Sequence, residues 1–381
     1  MRYRSFSLLL AFGLGACASP PPYPPVVEAI ERVPFDVELG GFPSHGELVH
    51  PRPGGQHGAG PWPIVLLLAG NGPHDMDVTL RTPDGPVTLF AQIADTLAAR
   101  GCAVVRYHKR FVRGPGSFDV RFWREQSTPA FVADAQTVLA KAATLPGCDP
   151  GRVYLYGWSE GTAVAAQLAV ERGDVDGLVL QGPVGLPWRD MVRFWIEGVG
   201  LPYALGDGPA VTGEGLGKAL RGQGGLVAKL GASFLADVAR VPGGPVRVSP
   251  RVDTDGDGQL DPAREVQPAL DAMLDFAFSP MGNVYVYAPG RTVPTVTEQA
   301  SRLRMPVLIL QGENDASTPK AGAEALAEAL RAAGNVDTTL RLLPGCGHTL
   351  GPAASLVDDH GRAPAEAVLV EVAHWIAARA R

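Results

Sequence analysis

Basic residues are in short supply in this chain. Across 381 residues, 33 Lys and Arg stand against 39 Asp and Glu, and nowhere do they gather into a patch. That excludes nucleic acid and strongly acidic surfaces as partners. Long apolar runs are missing as well. The stretch from Phe6 to Leu14 is far too short to span a bilayer as a stable helix, and no later stretch is long enough. No internal repeat is present, which excludes solenoid and propeller arrays. Cysteine is sparse, at four residues. What remains is a chain long enough for a core of roughly 250 residues plus an insertion.

Strand-like and helix-like runs alternate along that core. Strands are predicted near Phe35–Leu39, Gly46–His50, Pro63–Ala69, Cys102–Tyr107, Val153–Tyr156, Gly177–Gln181, Pro306–Gln311 and Thr338–Leu343. Helices are predicted near Val87–Arg100, Ala130–Leu145, Gly161–Arg172, Lys320–Ala333 and Ala365–Arg379. The pattern implies an α/β fold with a mostly parallel, doubly wound sheet of about eight strands. It breaks between Gln181 and Pro306, a segment rich in glycine that holds Trp188 and Trp195.

The most informative five residues are Gly157-Trp158-Ser159-Glu160-Gly161. They join a strand, Val153-Tyr154-Leu155-Tyr156, to a helix-forming run that starts at Thr162. In that context G-x-S-x-G lifts a serine hydroxyl clear of the backbone, and the glycines relieve crowding on both sides. Free N–H groups at the helix start then point to where negative charge develops in acyl transfer. Ser159 is therefore the candidate nucleophile, set against the plainer reading of a βα turn packed through small residues.

A serine nucleophile needs a base and an orienting acid. Asp315 follows the strand that ends in Gln311-Gly312, and His348 follows the strand ending at Leu343. Loops at strand carboxyl ends are where a parallel sheet gathers its chemistry. His348 would take the Ser159 proton while Asp315 fixes its tautomer and stabilises the imidazolium. The order Ser, Asp, His is that of α/β-hydrolases rather than of chymotrypsin or subtilisin. Glu313 is a rival acid. His360, in a polar loop, and His374, in the terminal amphipathic stretch, are rival bases. His108, at a strand's carboxyl end, reads better as a structural or substrate-contacting residue.

The chain resembles the α/β-hydrolase superfamily from roughly Pro34 to Arg381. More narrowly, it looks like a bacterial esterase branch also labelled serine aminopeptidase-like. The resemblance rests on Ala69-Gly70-Asn71-Gly72-Pro73-His74-Asp75-Met76-Asp77, on Arg106-Tyr107-His108-Lys109-Arg110-Phe111 and on the Ser-Glu-Gly of the elbow. It departs from the branch at His108, where an aspartate is usual, and at Phe111, where glycine is. It implies an oxyanion hole made by the backbone N–H groups of Glu160 and Asn71. The spacing Gly312-x-x-Asp315 also matches it, which favours Asp315 over Glu313. His74, Asp75 and Asp77 read more simply as loop and capping residues than as metal ligands. The family places a cap between strands six and seven. The expected division is thus signal peptide 1–16, tether 17–32, core 33–184, cap 185–302 and core 303–381.

The cap segment holds Asp253-Thr254-Asp255-Gly256-Asp257-Gly258-Gln259-Leu260-Asp261, followed by Pro262-Ala263-Arg264-Glu265. Acidic residues at loop positions 1, 3, 5 and 9 with glycine at 6 are what a calcium loop needs. Asp253, Asp255, Asp257, Gln259, Asp261 and Glu265 are the candidate Ca²⁺ ligands, in a structural role, since serine chemistry requires no cofactor. Position 12 is Arg264 instead of glutamate, and Glu265 arrives one place late. The plainer reading is a solvated acidic turn.

At the amino terminus, Arg2 and Arg4 precede the short apolar stretch, which ends in Leu14-Gly15-Ala16-Cys17. This resembles a bacterial lipoprotein signal, with Cys17 lipidated after cleavage, and implies export to the outer membrane or cell surface. A plain secretory signal is the alternative. Ser19-Pro20-Pro21-Pro22-Tyr23-Pro24-Pro25 then suits a stiff, extended tether. Of the three other cysteines at least one is unpaired, and Cys102 with Cys148 is the candidate disulfide. The expected function is a serine hydrolase acting on a small ester or short acyl or peptidyl substrate. A serine aminopeptidase or proline-releasing peptidase with the same site is the first alternative. A noncatalytic surface-binding protein on a hydrolase scaffold is the second.

Overall fold

Residues 29–237 and 245–380 are described by the structure, a computed structural model. The expected signal peptide, Cys17 and the proline run lie outside the described residues. Eight strands form one sheet: β1 (Ile30–Leu39), β2 (Phe42–Pro51), β3 (Trp62–Leu68), β4 (Ala103–Tyr107), β5 (Cys148–Trp158), β6 (Gly177–Gln181), β7 (Val307–Gly312) and β8 (Thr338–Leu343). Their order is β1-β2-β4-β3-β5-β6-β7-β8. The pairs β1/β2 and β2/β4 are antiparallel, and every pair from β4 to β8 is parallel.

Burial follows from this topology. Every residue of β3, β6 and β7 is buried. Central parallel strands are covered on both faces, so they read as unbroken apolar runs. Ile64, Leu66 and Leu68 point to one side, where α2 (Thr128–Ala142), α3 (Glu160–Arg172) and α4 (Lys320–Ala332) pack, through Val138, Val164 and Leu326 among others. Val65 and Leu67 point to the other side, toward α1 (Leu89–Ala98) and α5 (Glu366–Arg379), through Ile93 and Ile376. The period-2 alternation of β3 thus separates two helical layers.

Two expectations need correction. The sheet starts at Ile30, inside the stretch assigned to the tether, because Ile30 pairs with Pro51 and is itself buried. Cys102 and Cys148 are both free thiols. Cys102 immediately precedes β4 and Cys148 opens β5, and β3 runs between those strands. Two strand spacings, about 10 Å, exceed what a disulfide can bridge. Burial pushes both thiols up to about 12.

After Gln181 the chain leaves the sheet and rejoins it only at Val307. The excursion includes helices Trp188–Phe194, Gly213–Arg221, Leu226–Ser233 and Gln267–Phe278. Trp188 stacks on Tyr287 within it, with ring centroids 3.7 Å apart. Among the described residues no helix is long and apolar enough to cross a membrane.

Candidate active site

Ser159 stands between the end of β5 and the start of α3, with φ at 57° and ψ at −127°. A non-glycine residue there is strained, and such strain persists only where the surroundings enforce it. Here they do. A Cβ on Gly157 would lie 2.5 Å from the Gly161 carbonyl oxygen, and one on Gly161 would collide with the Leu68 carbonyl at the end of β3. Both positions demand glycine because strand and helix approach backbone to backbone. Gly161→Ala should therefore cost about 3 kcal/mol of stability by forcing β3 and α3 apart. Chemical denaturation measures this, and a wild-type midpoint would show that the contact is slack.

The Asp315–His348 pair forms as the spacing implies. His348 Nδ1 lies 2.8 Å from Asp315 Oδ2. The Asp315 carboxylate also accepts from the Ser317 and Thr318 N–H groups, the Thr318 hydroxyl and Gln311 Nε2, at 2.8 to 3.1 Å. All of its hydrogen-bond partners are donors, which places the His348 ring proton on Nδ1. Burial lowers the His348 pKa, but the charge and hydrogen bond of Asp315, with a further contribution from Asp359, leave it raised overall.

His348 is fixed to the elbow from behind. Its carbonyl accepts from Trp158 Nε1 and Gln181 Nε2, each at 3.2 Å, and the Gln181 carbonyl accepts the Ser159 N–H at 2.9 Å. The Trp158 and His348 rings lie 5.2 Å apart. Among the described residues the Ser159 hydroxyl makes no hydrogen bond. The backbones of Ser159 and His348 are thus tied to the same residue, Gln181.

The loop after β3 closes the other side. A Cβ on Gly70 would lie 2.8 Å from that of Ser159. Lys109 Nζ donates to the Gly70 carbonyl at 2.8 Å, and the trans peptide then turns the Asn71 N–H the opposite way. Neither that N–H nor the Glu160 N–H has an acceptor among the described residues, and the Asn71 carbonyl takes a 2.6 Å bond from His74 Nε2. Two unused donors beside the nucleophile are what an oxyanion requires.

Residues 87–201 match the family described as serine aminopeptidase, S33, and residues 284–355 match one described as TAP-like protein. Est1E of Butyrivibrio proteoclasticus, solved with ferulic acid, superposes with a TM-score of 0.51 at 15% identity, covering 91% of this chain and 98% of that one. A proline iminopeptidase-related protein of Thermus thermophilus gives 0.50 at 20% identity, covering 92% and 99%. The chain has the α/β-hydrolase fold. Esterase EstD of Thermotoga maritima is 33% identical over 159 residues, which is 42% of this chain and 34% of that enzyme. The chain thus spans about a third of the length of that curated relative.

The rival residues lie elsewhere in the fold. Glu313 faces Lys320 at 3.6 Å on the surface, His360 pairs with Asp358 at 3.3 Å, and His374 is exposed. His108 is structural: its Nδ1 accepts the Met76 N–H at 2.9 Å, and burial lowers its pKa. Sequence reasoning missed the Lys109–Glu160 pair, buried at 3.5 Å, which joins the loop after β3 to the elbow. Burial pulls the lysine's pKa down and pushes the glutamate's up, each opposed by its partner's charge. It also missed Thr318, three residues past Asp315, a hydroxyl spacing that turns use for hydrogen bonds back to a carboxylate. It missed Asp359 entirely.

Of the six residues expected to bind calcium, Asp253, Asp255 and Glu265 come together, with one oxygen from each within 4.8 Å of the others. Asp257 and Asp261 are turned to loop N–H groups of Gln259, and of Ala263 and Arg264. Glu265, a place late in the loop, reaches this cluster through a π-helical turn over Pro262–Val266, in which the Asp261 carbonyl accepts from both Glu265 and Val266. A π turn absorbs one extra residue. The N–H groups of Asp261 and Thr254 hold the Glu265 carboxylate and draw its pKa down. Gln259 belongs to a two-residue strand paired with Val211–Thr212.

Proposed function

We propose that this chain is a serine hydrolase that cleaves an ester or similar acyl bond through a covalent acyl-enzyme. Ser159 attacks the carbonyl carbon as His348 takes its proton, and the N–H groups of Glu160 and Asn71 hold the oxyanion. The proton then passes to the leaving group. Water repeats the sequence on the acyl-enzyme, with His348 as base, and frees the acid. The segment between β6 and β7 acts as the cap that shapes the pocket. The observation that carries this reading is a serine in a strained elbow whose backbone shares Gln181 with a histidine already bonded to a buried carboxylate.

A peptidase with the same site is the second reading, favoured by the serine aminopeptidase match over residues 87–201. The ester reading is preferred because the buried carboxylate beside the nucleophile, Glu160, is already matched by Lys109 and does not await an amino terminus. The 33% identity with an esterase points the same way. Fluorophosphonate labelling of wild type and of Ser159→Ala, followed by p-nitrophenyl esters and aminoacyl amides, tests both readings. Wild-type protein that stays unlabelled and turns over neither substrate would leave the noncatalytic surface-binding reading.

Two further assignments belong to this reading. The lipoprotein-like segment ending at Cys17 would export the enzyme and tether it to a membrane. The Asp253, Asp255 and Glu265 cluster would hold a structural Ca²⁺ in the cap, contributing nothing to the chemistry. Calcium at 100 times its Kd should then stabilise the fold by about 2.7 kcal/mol, a shift that EDTA reverses and Glu265→Gln removes. A melting curve indifferent to calcium refutes the metal assignment.

A further inference from the structure

Behind the Asp315–His348 pair sits a third acid. Asp359 lies between β8 and α5 and is 8% exposed. Its Oδ2 accepts the Ala316 N–H at 3.0 Å, and both its oxygens accept the His348 N–H, at 3.1 and 3.2 Å. One carboxylate thereby grips the backbone of both loops, at the residue after Asp315 and at His348 itself. The contact is close, since a Cβ on Gly347 would collide with Asp359. Its own segment is anchored too: the Val357 carbonyl accepts the Gly225 N–H at 2.8 Å.

The charges around Asp359 make its identity informative. From the packed loops it faces Asp315 and His348. On its own loop, Asp358 pairs with His360 and Arg362, and Arg362 also reaches Asp84. The excursion between β6 and β7 meets it here through Gly225 backbone, which carries no charge. Among the described residues no lysine or arginine pairs with Asp359. Burial and the Asp315 charge lift its pKa to about 6, opposed by His348. Two N–H groups could be satisfied by asparagine without that unfavourable burial of charge. An acid at this position has to gain from its neighbour.

We propose that Asp359 is a positioning residue: its carboxylate holds the Asp315 and His348 loops in register, and its negative charge favours the imidazolium formed when Ser159 loses its proton. This rests on the catalytic reading above. Asp359→Asn removes the charge and keeps one oxygen to accept the Ala316 and His348 N–H groups, with an NH₂ in place of the other. The acid limb of kcat/KM for p-nitrophenyl acetate should then move to lower pH by about half to one unit, with the plateau several-fold lower. Asp359→Ala also releases the loops, and kcat should fall about 10- to 100-fold with KM little changed. An acid limb that stays in place in Asp359→Asn overturns the proposal, whatever happens to the rate. Asp359→Ser carries the same test if the asparagine variant does not fold. If wild-type protein proves inactive, the catalytic reading falls by itself. NMR titration of the His348 ring still decides this proposal, which predicts a lower imidazole pKa in Asp359→Asn and is overturned by an unchanged one.

Discussion

Ser159→Ala should lose all fluorophosphonate labelling and at least about 10⁴-fold in kcat, with a melting point within a degree or two of wild type. The contrast between the two readouts is what makes the experiment decisive. The Ser159 hydroxyl has no hydrogen-bond partner among the described residues, so removing it strands no buried group. Alanine keeps the Cβ against Gly70 and inherits the same positive φ, so the backbone strain is unchanged. What disappears is only the nucleophile. Labelling of undiminished stoichiometry in Ser159→Ala would move the nucleophile elsewhere and dismantle the assignment.

Asp315→Asn should be nearly as severe, about 10⁴-fold in kcat, and for a reason visible in the hydrogen bonds. Every hydrogen-bond partner of that carboxylate is a donor: two backbone N–H groups, the Thr318 hydroxyl, Gln311 Nε2 and His348 Nδ1. An asparagine oxygen best serves the Ser317 and Thr318 N–H groups, which turns its NH₂ toward His348 Nδ1. The ring must then accept at Nδ1 and carry its proton on Nε2, where it cannot take one from Ser159. The loss should therefore be present across the pH range. A variant within tenfold of wild type would show that another group orients the histidine.

Much of this was legible in the sequence. Gly177–Gln181 and Thr338–Leu343 form strands over the expected residues, because both are apolar or β-branched runs bounded by turn signals. β5 was harder to read. It begins at Cys148, five residues before the apolar run, because Cys148 and Asp149 pair with Trp62 and Pro63 ahead of a register shift. Nothing in Asp149-Pro150-Gly151 suggests a strand, so only the neighbouring strand accounts for its start. The elbow and the Asp315 and His348 loops were readable because each follows a recognisable strand. Asp359 was not, since its role arises only when the chain folds back between two loops that are distant in sequence. The late Glu265 posed the same problem, because the π turn that seats it leaves no mark in residue type.

The direction of β1 has a consequence for how the candidate site is approached. β1 is antiparallel to β2, and β2 is antiparallel to β4, so β1 runs with β4 and Ile30 lies at the rim opposite Ser159, Asp315 and His348. The edge of the sheet at which β1 begins is thus the one turned away from the three site residues. Were the lipid anchor proposed at Cys17 to hold the chain, its substrates would be solutes arriving from the surrounding water.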